Sequence, residues 1–237
     1  MTTDTALKSK DMARGSSAAM APAARDNQLF PAIFAAAWMA ILLGLLVQLA
    51  VFGAKTGAGA KVPGLQLIVD IASGVAWSVI VCGGVAIGTV AAKSAPPLMG
   101  ALGLICAPLA FAAAKGAQRG VAWILGQPME QITTLTYQIG AAKMVEYALL
   151  GFVLGALIRT PRSTLPNHTV VGLLFGALFA AVILWLNFAS GGQMPMPKIA
   201  AIATNEFIFP IGCSLVIYWI AKLSDNSSAR ERILSGN

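Results

Sequence analysis

The chain has 237 residues, of which 57% are hydrophobic and only 11% charged, and its mean hydropathy is +0.77. A soluble domain carries about 25% charged residues, so this composition excludes an ordinary water-soluble fold. The net charge of +7 and pI near 9.6 do not point to nucleic acid, because the basic residues are scattered through tails and loops; contact with anionic lipid headgroups explains them better.

Residues 1–28 are polar, small and mixed in charge. They contain no apolar core of a secretory signal, and Asp4, Asp11 and Asp26 argue against an organellar transit peptide. A flexible tail is expected here. From Phe30 to Ala54 the chain then runs twenty-five residues without a charge. A helix needs about 20 apolar residues to cross a bilayer, so a first span is placed at 31–54.

Five more apolar stretches follow, at about 74–92, 97–114, 142–158, 169–189 and 203–221. The connections are a glycine-rich turn after the first, Pro96 and Pro97 before the third, a longer loop over 115–141, the turn RTPRSTLPNH, and GGQMPMPK. A polar tail is expected over 224–237. The chain is therefore expected to be all-α: a polytopic membrane bundle of about six helices over 29–223. Ten of the Lys and Arg residues fall on the inner side if the N-terminus is inside, against Lys55, Lys61, Lys115, Arg119, Lys143 and Lys198 outside. That bias favours both termini in the cytoplasm, in a bacterial inner membrane.

Two hairpins resemble each other. The second span ends in Gly84 and Gly88 before Lys93, and the fourth in Gly151 and Gly155 before Arg159. Each is followed by a proline-containing turn and a helix opening with paired glycines, Gly100 and Gly103 in one and Gly172 and Gly176 in the other. Three out-and-back units, 31–92, 97–158 and 169–221, would each carry a short segment lying in the interface on the outer side. The GxxxG pairs are candidate close-packing sites between helices of one chain or of several.

Asp70, Glu146 and Glu206 are placed near the outer starts of returning helices. Ionisable groups at membrane depth point to an ion or partner site, whereas acids in a first turn only offset the helix dipole. Lys143 and Glu146 are three residues apart and can neutralise each other on one face. Asn205, Glu206 and Pro210 form the most unusual local chemistry, because Pro210 leaves the Glu206 carbonyl without its helical donor. Gln48 reads as a polar tie between helices. Cys82, Cys106 and Cys213 read as small buried hydrophobes, and the single histidine, His168, excludes clustered-His metal sites within one chain.

No P-loop, HExxH, GxSxG or carboxylate-histidine catalytic pattern occurs. No catalytic residue, metal or cofactor is expected. The expected function is a non-catalytic scaffold or accessory subunit, with the bilayer and other membrane subunits or copies of itself as partners. The alternative is a small transporter or channel using the acids near the outer face.

Overall fold

The computed structural model describes residues 33–61, 64–91, 95–191 and 193–234. They form six helices, with no strand among the described residues: α1 (Ile33–Gly57), α2 (Gln66–Ala91), α3 (Pro96–Ile124), α4 (Thr134–Ile158), α5 (Leu165–Ala189) and α6 (Met196–Leu234). Long apolar runs make these helices, and local chemistry ends them. Pro96 and Pro97 occupy the first turn of α3, where no amide needs an intrahelical acceptor. At its far end Gln127 N bonds Ala122 O at 2.8 Å and Gly126 N bonds Trp123 O at 3.2 Å. This Schellman-type stop requires the left-handed backbone that Gly126 adopts at φ 62°. A capping box between Thr133 and Thr136 starts α4.

All six helices are long and apolar enough to cross a membrane, with mean hydropathies between 1.7 and 2.5, as suits an integral membrane protein. Large apolar side chains such as Leu46, Leu109, Leu174 and Trp185 stand exposed on the outside of the bundle. The polar N-terminal tail expected over 1–28 lies outside the described residues, as do residues 235–237.

The helices are longer than expected. The stretch before 74 belongs to α2, which begins at Gln66; α3 runs on to Ile124, α4 begins at Thr134, and α6 extends from Met196 to Leu234. The separate interfacial segments expected between spans are thus continuous with the helices over 66–73, 115–124 and 134–141. Much of the expected polar C-terminal tail is likewise helical. Charged side chains marked false boundaries in the sequence. Asp70 and Lys115 instead find ionic partners, Lys55 at 2.7 Å and Glu130 at 2.5 Å, so the backbone stays helical through them.

Successive helices run antiparallel, and α6 closes the bundle against α1 and α2. Ser78 Oγ of α2 donates to Ala40 O of α1 at 2.6 Å, and Gly212 of α6 lies on Leu43 of α1. The glycine pairs sit at the tightest crossings. A Cβ added at Gly88 would come within 2.6 Å of Leu102, at Gly151 within 2.5 Å of Met99 O, and at Gly155 within 2.9 Å of Pro96 Cα. Gly84 lies directly on Cys106. On the other side, Gly172 would meet Ile211 Cα at 2.6 Å and Gly176 the Glu206 carbonyl at 2.8 Å. Small residues there let backbones approach and gain dispersion contact. The two resembling hairpins do not use these residues alike. Gly84 and Gly88 face the following helix α3, whereas Gly151 and Gly155 face the preceding one, again α3.

The apolar core is built from Val47, Val81, Val85, Met99, Leu150, Leu154, Ile217 and Ile220, all almost fully buried. It fills the end of the bundle near the α3 start and the α4 end. Towards the opposite half lie the buried charges Lys143, Glu146 and Glu206.

Candidate functional site

The inward stripe of α4 contains Lys143, Glu146, Tyr147, Leu150, Gly151 and Leu154, all buried. Its helical spacing puts two charges on the face that packs inside, which explains the low hydropathy of this span. Glu146 is the middle residue of α4, equally far from Thr134 and Ile158. No acid occupies the first turn of α2, α4 or α6. The helix-dipole account of these acids is therefore wrong for Glu146 and Glu206, which lie well inside their helices.

Lys143 Nζ joins two helices. It is 2.9 Å from Glu146 Oε2 on its own helix and ion-paired with Glu206 Oε2 on α6. Asn205 Nδ2 donates to Glu206 Oε1 at 3.2 Å. The ammonium also lies 5.5 Å from the Tyr147 ring centre and 5.9 Å from that of Trp77. Trp77, Tyr147 and Phe209 contact one another edge-on at 5.6 to 6.3 Å, with Phe111 against Trp77 at 6.5 Å. Glu146 is fully buried, and its Oε1 has no hydrogen-bond partner among the described residues; the Tyr147 hydroxyl has none either.

A cavity of about 200 Å³ opens beside this cluster. Gln48, Ser73, Trp77, Phe111, Lys115, Lys143, Asn205, Glu206 and Phe209 stand in its wall. A second space of about 240 Å³ shares Gln48, Ser73, Asn205 and Glu206 and extends to Lys55 and Asp70. Together they lead from the loops at the α1–α2 end down to Glu206. Gly74 gives Gln48 its place, since a Cβ there would collide with the Gln48 side chain.

Of the candidate residues, Glu146, Asn205 and Glu206 come together. Asp70 does not join them; it stands at the mouth, paired with Lys55 at 2.7 Å and held by Gln66 Nε2 at 3.0 Å. Lys143 is the centre of the cluster, although its spacing suggested only a local partnership with Glu146. Ser73 has no signal of its own, and the place of Trp77 towards a span end suggests an interfacial anchor, whereas its ring packs among Phe111, Tyr147 and Phe209. The available signal for Lys143 was its sign: a cation and an acid in two separate apolar spans each need an opposite charge. Gln48 of α1 packs on Gly74 of α2 and lines the cavity. His168 is buried near the start of α5, its Nδ1 3.0 Å from Thr164 O and its ring against Tyr218, remote from the cluster in sequence and contacts. Among the described residues, no three His, Cys, Asp or Glu side chains are grouped as metal ligands.

Chemically, two carboxylates face one ammonium, so the cluster carries one formal negative charge in excess. Desolvating such a group is costly, and apolar side chains of similar volume would commonly pack as well or better. Comparison with protein-family models, curated proteins and solved structures finds no match to this chain.

Proposed function

We propose that the protein is a membrane-embedded carrier for a small solute, with the Lys143–Glu146–Glu206 cluster coupling solute or cation occupancy to helix position. One observation carries this reading: Glu206 is at once a member of a buried charge cluster and part of a cavity wall. Ionisable groups at the centre of an apolar bundle are expensive and commonly serve ion or solute pathways. A positive charge arriving at Glu206 competes with Lys143, the tie between α4 and α6. Occupancy then changes the energy of that crossing, which is the differential interaction a conformational switch requires. Pro210, four residues beyond Glu206, interrupts the α6 hydrogen-bond ladder beside the contact.

The scaffold reading draws on nearly uncharged span centres, on glycine pairs available to other subunits and on short loops. The centre of α4 holds charge, and Gly84, Gly88, Gly151, Gly155, Gly172 and Gly176 are occupied by contacts within the chain. The first observation favours the carrier, and the second removes one support of the scaffold reading.

The test is uptake by the purified full chain in liposomes, using radiolabelled cationic, zwitterionic and neutral small solutes. The carrier reading expects uptake of at least one class, abolished by Glu206→Gln with the folded particle retained. No uptake of any class, together with stable co-purification of other membrane chains, would return the protein to the accessory-subunit reading.

A further inference from the structure

We infer that the cavity beside Glu206 binds a small organic ammonium ion, an inference that names the substrate class of the proposed carrier and rests on that reading. The side chain already present displays the chemistry. Lys143 ends in a primary ammonium, gripped by the carboxylates of Glu146 and Glu206 and flanked by the rings of Tyr147 and Trp77. Carboxylate and aromatic face together are what alkylammonium ions recognise. Lys143 acts as a tethered occupant of such a site.

The tethered ammonium does not satisfy the site. Two carboxylates surround it, and Glu146 Oε1 is buried without a partner. The other charges nearby are already matched: Lys115 pairs with Glu130 at 2.5 Å, and Lys55 with Asp70 at 2.7 Å. The unmatched charge is therefore negative, and it belongs to the buried cluster behind the cavity wall, where Lys143 and Glu206 face the space and Glu146 does not. An anionic solute would add to it, and a neutral one would leave it in place. A cation cancels it.

The walls select among cations. Trp77, Phe111 and Phe209 line the space with aromatic surface, while Gln48, Ser73 and Asn205 supply amide and hydroxyl groups. Aromatic walls suit the poorly hydrated methyl groups of an alkylammonium better than the tight water shell of an inorganic cation. The volume of about 200 Å³ falls below the about 300–1,000 Å³ of pockets for drug-sized ligands, so the organic part is small. Entry is a displacement, with the ligand's positive head taking Glu206 as Lys143 keeps Glu146.

The experiment is calorimetric titration of the purified full chain in mild detergent with methylammonium and tetramethylammonium, beside tert-butanol and acetate as neutral and anionic probes. The ammonium ions are expected to bind selectively, about tenfold more weakly in Trp77→Leu and undetectably in Glu206→Gln. In Lys143→Met, methylammonium should raise the melting temperature by standing in for the missing group; this readout survives a loss of basal stability. Selective binding of tert-butanol or acetate, weakened by Trp77→Leu, would overturn the ammonium assignment and leave the carrier standing. Ammonium binding indifferent to both Trp77→Leu and Glu206→Gln would also overturn it. Binding of no probe, joined to absence of uptake in liposomes, would overturn both.

Discussion

Lys143 of α4 and Glu206 of α6 are 63 residues apart in the chain and meet as a buried ion pair in the interior of the bundle. The pair ties two helices that otherwise share few contacts, and it does so at the wall of a cavity.

Removing one partner from this cluster should cost far more than removing one at the mouth. Lys143→Met leaves two carboxylates buried without a counter-charge and is expected to destabilise the protein by roughly 3–5 kcal/mol. Lys55→Met breaks a pair whose side chains are 29% and 18% exposed, and should cost about 1 kcal/mol or less. Denaturation in detergent compares the two. Equal losses would show that Lys143 is solvated in the native protein.

The glycines separate in the same assay by what surrounds them. Gly151→Ala and Gly172→Ala push a methyl group into neighbouring backbone, where a Cβ finds atoms at 2.5 and 2.6 Å. Each should cost about 1–3 kcal/mol. Gly53 and Gly116 have nothing within 4 Å, and alanine there should be neutral or stabilising by up to about 1 kcal/mol. Destabilisation by all four alike would mean that helix packing differs from that described.

The spans were legible because charge is absent over long runs, most plainly from Phe30 to Ala54. Their ends were not. Asp70 and Lys115 looked like boundaries, but a helix continues past a charge whenever a neighbouring side chain pairs with it, and pairing is a property of the packed bundle. The site was half legible for the same reason. Glu146 and Glu206 stood out as acids in apolar sequence, and Asn205 beside them. Only the crossing of α4 with α6 turns Lys143 from a local neutraliser of Glu146 into the link to Glu206. The Trp77 ring, from a third helix, has no sequence signal of the site, because an aromatic residue in an apolar span looks the same whether it anchors at the interface, packs a core or lines a cavity.

Water should reach the cavity from one side. Ser73→Cys and Asn205→Cys, made in a Cys106→Ala background, should react with a membrane-impermeant thiol reagent added on the side of the α1–α2 loop. They should stay unlabelled when it is added on the other. Cys82 and Cys213, both fully buried, should not react from either side. Labelling from both sides would contradict a cavity closed at its inner end.

The central claim is that the charged cluster serves a solute site and is not needed to hold the bundle together. The most direct measurement is on the triple variant Lys143→Met, Glu146→Met, Glu206→Met, assayed in parallel for thermal stability and for uptake in liposomes. Replacing a whole buried charge cluster with apolar side chains of similar volume is commonly neutral or stabilising. The account predicts a variant that unfolds no more readily than the parent and takes up none of the solutes the parent carries. Uptake at the parental rate with the cluster gone would contradict it.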